Sequence, residues 1–143
     1  MPATLESIAR TRVFARVIGP FMTLVVGALE VRAEEMGKFV SAFLQDEVMV
    51  WSMAATLVLG GLLIIAFHQY WRSPAAVSIS LFGWFVLLRG LVLLYAPQLF
   101  ARVYSGAVTP GSVAYIRLGF SVMLLISLWL TYVGWLAKPG ARA

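Results

Sequence analysis

The sequence predicts an all-α membrane protein, a four-transmembrane-helix bundle with an amphipathic helix on its outer face. Composition is the first ground. Of 143 residues, 62% are hydrophobic and only 12% charged. Soluble domains average roughly 45–50% apolar and about 25% charged residues. A soluble core of this size hides only about 70% of the surface that the unfolded chain exposes. The second ground is a set of long apolar runs. A helix needs about 20 such residues to cross a hydrocarbon layer of roughly 30 Å, and the runs at 13–31, 48–67, 75–96 and 116–137 supply them. The third is the placement of the few charges, which gather between and beside these runs. The chain reads as one membrane domain.

The first run contains Arg16 near its start and Pro20 within it. A long arginine side chain at a span end snorkels to the headgroups. Arginines followed by an apolar run resemble a signal peptide, but Ala28-Leu29-Glu30-Val31-Arg32 is a poor small-residue cleavage site, so the segment is expected to be a true span. Residues 33–45 follow with Met36, Phe39, Val40, Phe43 and Leu44 at i, i+3, i+4, i+7 and i+8. That period makes one apolar face of a helix. It suits a helix lying on the outer leaflet, or a docking surface for a partner.

The run at 48–67 has no charged residue. A short link from Gln69 to Pro74 makes it the antiparallel neighbour of the run at 75–96. Pro74 suits a first helical turn, where a missing N–H costs nothing. Pro97 ends the third span, and Leu99, Phe100, Val103 and Tyr104 then make a turn of apolar face. Thr109-Pro110-Gly111-Ser112 reads as a turn or helix cap before the fourth span.

Orientation follows from the basic residues, which accumulate on cytoplasmic flanks. Arg10, Arg12, Arg16, Arg72, Lys138 and Arg142 lie on one side, against Arg32, Lys38 and Arg102 on the other. Both termini are therefore expected in the cytoplasm. The formal charge of +5 is accounted for by topology and indicates no nucleic-acid partner. Five of the six acids, Glu30, Glu34, Glu35, Asp46 and Glu47, then lie toward the outer side.

Arg89 is the most informative position. It sits about seven residues inside the outer end of its span, or roughly 10 Å at 1.5 Å per residue. An intramembrane charge is costly and is usually paired or turned to a cavity. Arg89 and Arg117 are expected either to pair with Glu30, Asp46 or Glu47, or to form a basic pocket for a lipid headgroup or anionic solute. His68, at the inner end of span two, follows Gly61 and Ile64 on one stripe. It reads as a ligand or proton-relay candidate, or as part of an interfacial aromatic belt with Tyr70 and Trp71. Trp84 and Trp129 fall inside spans and read as packing residues. Gly61, Gly83 and Gly90 mark close helix contacts, within the chain or between chains.

The chain contains no cysteine and one histidine. Thiolate metal sites, disulfide redox chemistry and a bis-His haem within one chain are thereby excluded. No HExxH and no Ser–His–Asp set at matching depth is present, and no acid, Lys or His stands at mid-span. No catalytic residue, metal or cofactor is expected.

His68-x-x-Trp71, Ile79-x-Leu81-x-Gly83-Trp84, Leu88-Arg89-Gly90 and Pro97 together resemble a family of small uncharacterised bacterial integral membrane proteins. Members have four predicted spans and often carry Lys at the position of Arg89. The likeness covers about 30 residues by motif and the rest by hydropathy. It implies a small inner-membrane protein and carries over no activity. The expected function is a non-catalytic subunit or stabilising factor of a larger bacterial membrane complex. The expected partners are membrane lipids and either other integral membrane subunits or further copies of the chain. Two other functions fit the same residues: a small homo-oligomeric channel or carrier, and a lipid-, quinone- or pigment-binding protein.

Overall fold

A computed structural model describes residues 5–107 and 112–137. These residues are almost all helical: α1 (Leu5–Val31), a 3-10 turn (Ala33–Glu35), α2 (Met36–Gln45), α3 (Glu47–Phe67), α4 (Pro74–Tyr95), α5 (Pro97–Ala107) and α6 (Val113–Trp135). Among them α1, α3, α4 and α6 are long and apolar enough to cross a membrane. The protein is a multi-pass four-span bundle.

Local chemistry sets most boundaries. Asp46 is extended and its Oδ1 accepts from the Met49 N–H, capping α3. Ser73 does the same for α4, accepting from the Ala76 N–H at 3.1 Å, with Pro74 at the first position. Three boundaries depart from the sequence-based expectation. α1 starts at Leu5 rather than near 13, two turns before its apolar run. The helix expected at 33–45 opens with a 3-10 turn and becomes α-helical only at Met36. The apolar turn after Pro97 is a full helix, α5. Most of the turn expected at 109–112 lies outside the described residues, as do Lys138 and Arg142.

The spans associate as two antiparallel pairs, α1 with α6 and α3 with α4. The α3–α4 seam is built on glycine. A Cβ on Gly61 would lie 2.6 Å from the Leu87 backbone nitrogen, and one on Gly90 would lie 2.8 Å from that of Val58. A Cβ on Gly83 would meet Ile64 Cγ2 at 2.6 Å. All three expected contact glycines therefore act within the chain, letting two backbones approach where side chains would hold them apart.

The α1–α6 seam combines glycine with hydroxyls. Gly19 faces Thr131 and Gly134 faces the Ala15–Arg16 backbone, each closer than a Cβ allows. One turn beyond Gly19 the Thr23 hydroxyl donates to the Gly19 carbonyl and lies 3.1 Å from the Ser127 hydroxyl. Hydroxyl pairs of this kind satisfy polar atoms where no water is available.

Of two apolar clusters, the first joins the pairs and the second ties α3 and α4 to α2 and α5. Ala15, Ile18, Ala75, Ile79, Leu130 and Val133 pack where α1 and α4 begin and α6 ends. Val50, Ala54, Leu93 and Phe100 pack at the opposite end, with Phe43 and Leu44 of α2 and Tyr104 of α5 against them. α2 thus uses part of its apolar face to cap α3, α4 and α5. Arg10, Arg12, Arg16 and Arg72 lie toward the first end, termed the basic face below. Glu30, Glu34, Glu35, Asp46 and Glu47 lie toward the other, the acidic face.

Candidate functional site

On the basic face α1 clamps the end of α6. The last carbonyls of a helix have no intrahelical donor, and cations there are favoured by the helix dipole. Arg12 Nε donates to the Gly134 carbonyl at 3.2 Å and Arg12 Nη2 to that of Ala137 at 2.6 Å. Arg16 Nε donates to the Gly134 carbonyl at 2.8 Å. Pro20 contributes indirectly. It has no N–H, so the Arg16 carbonyl four residues earlier loses its helical donor. Trp135 Nε1 fills that vacancy at 3.1 Å, while the Arg16 guanidinium lies 5.7 Å over its ring. The arginines that mark topology in the sequence are also structural clamps. Trp135→Phe keeps the apolar ring and removes the donor. It should lower stability by about 1 kcal/mol, read as a small fall in melting temperature in detergent; an unchanged melt would mean that the contact contributes nothing.

His68 stands where the two helical pairs meet. It ends α3, its N–H donating to the Ile64 carbonyl at 2.8 Å, and it is fully buried. Thr11 of α1 lies 3.1 Å from Nε2, and Ser80 of α4 lies 3.3 Å from Nδ1. Phe14 and Tyr70 close around the ring, with centroids at 5.2 and 5.3 Å. The Thr11 hydroxyl donates to the Ser7 carbonyl at 2.7 Å. With its single proton so placed, Thr11 accepts from His68, which assigns a proton to Nε2. In the neutral ring Nδ1 is an acceptor turned to Ser80, whose single hydroxyl proton is shared between it and the Tyr70 carbonyl at 3.0 Å. Burial pushes the pKa of His68 below its ordinary value of 6.5, against a smaller upward pull from a backbone hydrogen bond. Burial is what favours the neutral ring. His68 is therefore an interhelical clasp, with both ring nitrogens engaged. Trp71, three residues on, is half exposed in the manner of an interfacial anchor. Trp84 and Trp129, read as packing residues, are each more than a third exposed and also face outward.

The acidic face separates Arg89 from Arg117. Arg117 Nη2 lies 3.0 Å from Glu34 Oε1, an exposed pair joining α6 to the 3-10 turn. One turn along, the Ser121 hydroxyl donates to Glu30 Oε1 at 3.3 Å. Glu30 Oε2 is buried and has no hydrogen-bond partner among the described residues. Arg32 pairs with Glu35 at 2.8 Å and lies 4.2 Å from the Phe39 ring centroid. Asp46 is occupied in capping α3, and Glu47 is exposed in the first turn of that helix. Arg89 instead lies over aromatic rings of α5, 5.3 Å from the centroid of Phe100 and 6.0 Å from that of Tyr104. The structure therefore does not bring Arg89, Arg117, Glu30, Asp46 and Glu47 into one network. Arg117 takes Glu34, an acid not singled out in the sequence, and Arg89 takes an aromatic stack. Among the described residues no group of three or more His, Asp or Glu side chains is arranged to hold a metal ion.

No family model, no curated protein and no solved structure matches this chain.

Proposed function

We propose that the protein is a non-catalytic subunit or stabilising factor of a larger membrane complex, set in the bacterial inner membrane with both termini in the cytoplasm. The orientation rests on the basic flanks, which coincide with the basic face of the bundle. The bacterial assignment rests on the resemblance of the 68–97 hairpin to small bacterial membrane proteins.

The observation that carries the subunit reading is how little of the spans the chain covers for itself. Only 11% of the α6 span and 17% of the α3 span are buried inside the bundle. The uncovered side of α3 includes Ser52 and Thr56, with Gly60 on the same stripe. Both hydroxyls donate back to carbonyls one turn earlier, so their polar needs are met within the helix. A Cβ on Gly60 would meet nothing within 4 Å. Small residues with satisfied hydroxyls let a second helix approach closely, which is how membrane helices associate.

The test is purification from native membranes in mild detergent followed by native mass spectrometry. The expected result is a larger membrane subunit at fixed stoichiometry, lost on Gly60→Leu. A homo-oligomer without other chains would favour the channel or carrier function, and a bare monomer would overturn both.

A further inference from the structure

We infer that Arg89, backed by the stacked rings of Phe100 and Tyr104, is a seat for the phosphate of an anionic phospholipid in the leaflet at the acidic face. The inference is independent of the subunit proposal.

Depth comes first. Arg89 lies six residues before the end of α4 at Tyr95, which at 1.5 Å per residue is about 9 Å along the helix. Its guanidinium is always charged and offers five N–H donors in a planar fork. The contacts it makes are with ring faces. Phe100 and Tyr104 stack on each other at 4.7 Å, and the cation lies over both. Rings attract the charge and fix the plane of the fork. Among the described residues no carboxylate or carbonyl accepts from it. Of the acids on this face, Glu34 is engaged with Arg117, Glu35 with Arg32 and Asp46 with the α3 backbone, and neither Glu30, which takes the Ser121 hydroxyl, nor the exposed Glu47 pairs with Arg89.

A half-buried cation whose donors no described residue claims is matched at this depth by an anion from its surroundings. The membrane supplies one in the lipid phosphate, which a long arginine side chain reaches by snorkelling. Phosphate also matches the fork, accepting two parallel N–H bonds. A phosphate in solution has the same chemistry, but the nearby chain favours the lipid. Leu88, Tyr95, Leu99 and Val103, on the two helices that carry the site, are all more than half exposed and offer apolar surface to acyl chains.

The full-length chain in detergent is titrated with dioleoyl-phosphatidylglycerol, with dioleoyl-phosphatidylcholine and with inorganic phosphate, and bound species are counted by native mass spectrometry. Phosphatidylglycerol is expected to be retained preferentially over phosphatidylcholine. R89Q should weaken that retention on the order of tenfold, as loss of a charge-assisted bond does. R89K, which keeps the charge without the fork, should fall between. Circular dichroism matching the wild type shows that R89Q is folded, and the wild-type lipid preference stands as a test even if it is not. Equal retention of the two lipids, or a folded R89Q that holds phosphatidylglycerol as well as wild type does, would overturn the proposal. So would inorganic phosphate displacing the lipid at equal concentration, since the site would then select a free anion.

Discussion

Gly61→Val is expected to separate α3 from α4 and to lower the melting temperature of the purified protein sharply. The new Cβ would lie 2.6 Å from the Leu87 nitrogen and 2.7 Å from the Leu87 Cα, so it meets backbone that cannot rotate away. The helices must move apart, and the contacts at Gly83 and Gly90 loosen with them. Overpacking of this kind costs about 3 kcal/mol, a large share of the margin in a small protein. Valine's better helix propensity returns only a few tenths of a kcal/mol. Gly60→Val is the matched control. It has the same chemistry one residue away, and its Cβ meets nothing within 4 Å. The isolated chain should tolerate it. Equal melting of the two variants would mean that the α3–α4 approach does not depend on Gly61.

The contrast between Gly60 and Gly61 also shows what the sequence made legible. The sequence places spans α3 and α4 within a residue, because their apolar runs begin just after the caps Asp46 and Ser73. α1 ran past its apolar stretch because Leu5 to Arg12 is mixed in character, and hydropathy does not register a helix that leaves the hydrocarbon. α5 carries one apolar turn in a polar setting, too little for periodicity to find. The site was legible in part. The depth of Arg89 is a matter of counting, but its partner rings lie on another helix, and a cation read by charge is matched to acids first. Glu34 was the acid in reach of Arg117, since the 3-10 turn at Ala33–Glu35 decides which of the clustered carboxylates faces α6. The vacancy at the Arg16 carbonyl is written in Pro20, yet nothing in the sequence assigns Trp135 to fill it.

Removing the His68 ring should uncouple the two helical pairs at the basic face, and the effect should depend on pH in a direction that reports its charge. His68→Ala leaves a cavity among Thr11, Phe14, Tyr70 and Ser80 and should cost about 3 kcal/mol. His68→Leu fills most of that volume and loses only the two hydrogen bonds, at roughly 0.6–1 kcal/mol each. Thr11 and Ser80 keep backbone acceptors in both variants, so neither hydroxyl is stranded. The folded-state pKa lies below the ordinary value of 6.5, so the unfolded chain binds the extra proton more readily. The stabilisation is then complete above about 6.5 and declines as pH falls below it. The groups against the ring are Tyr70, Phe14, Thr11 and Ser80. Arg12, beside Thr11 in sequence, is turned to the carbonyls of α6, and Glu6 on the same helix pairs with Arg10 at 2.8 Å. Melting of wild type and His68→Leu in detergent at pH 8 and pH 5.5 reads the sign. The gap between them should shrink at the lower pH. A gap that widens would show a ring held charged, donating from Nε2 to Thr11 and from Nδ1 to Ser80, and would overturn the neutral assignment while leaving the clasp itself in place.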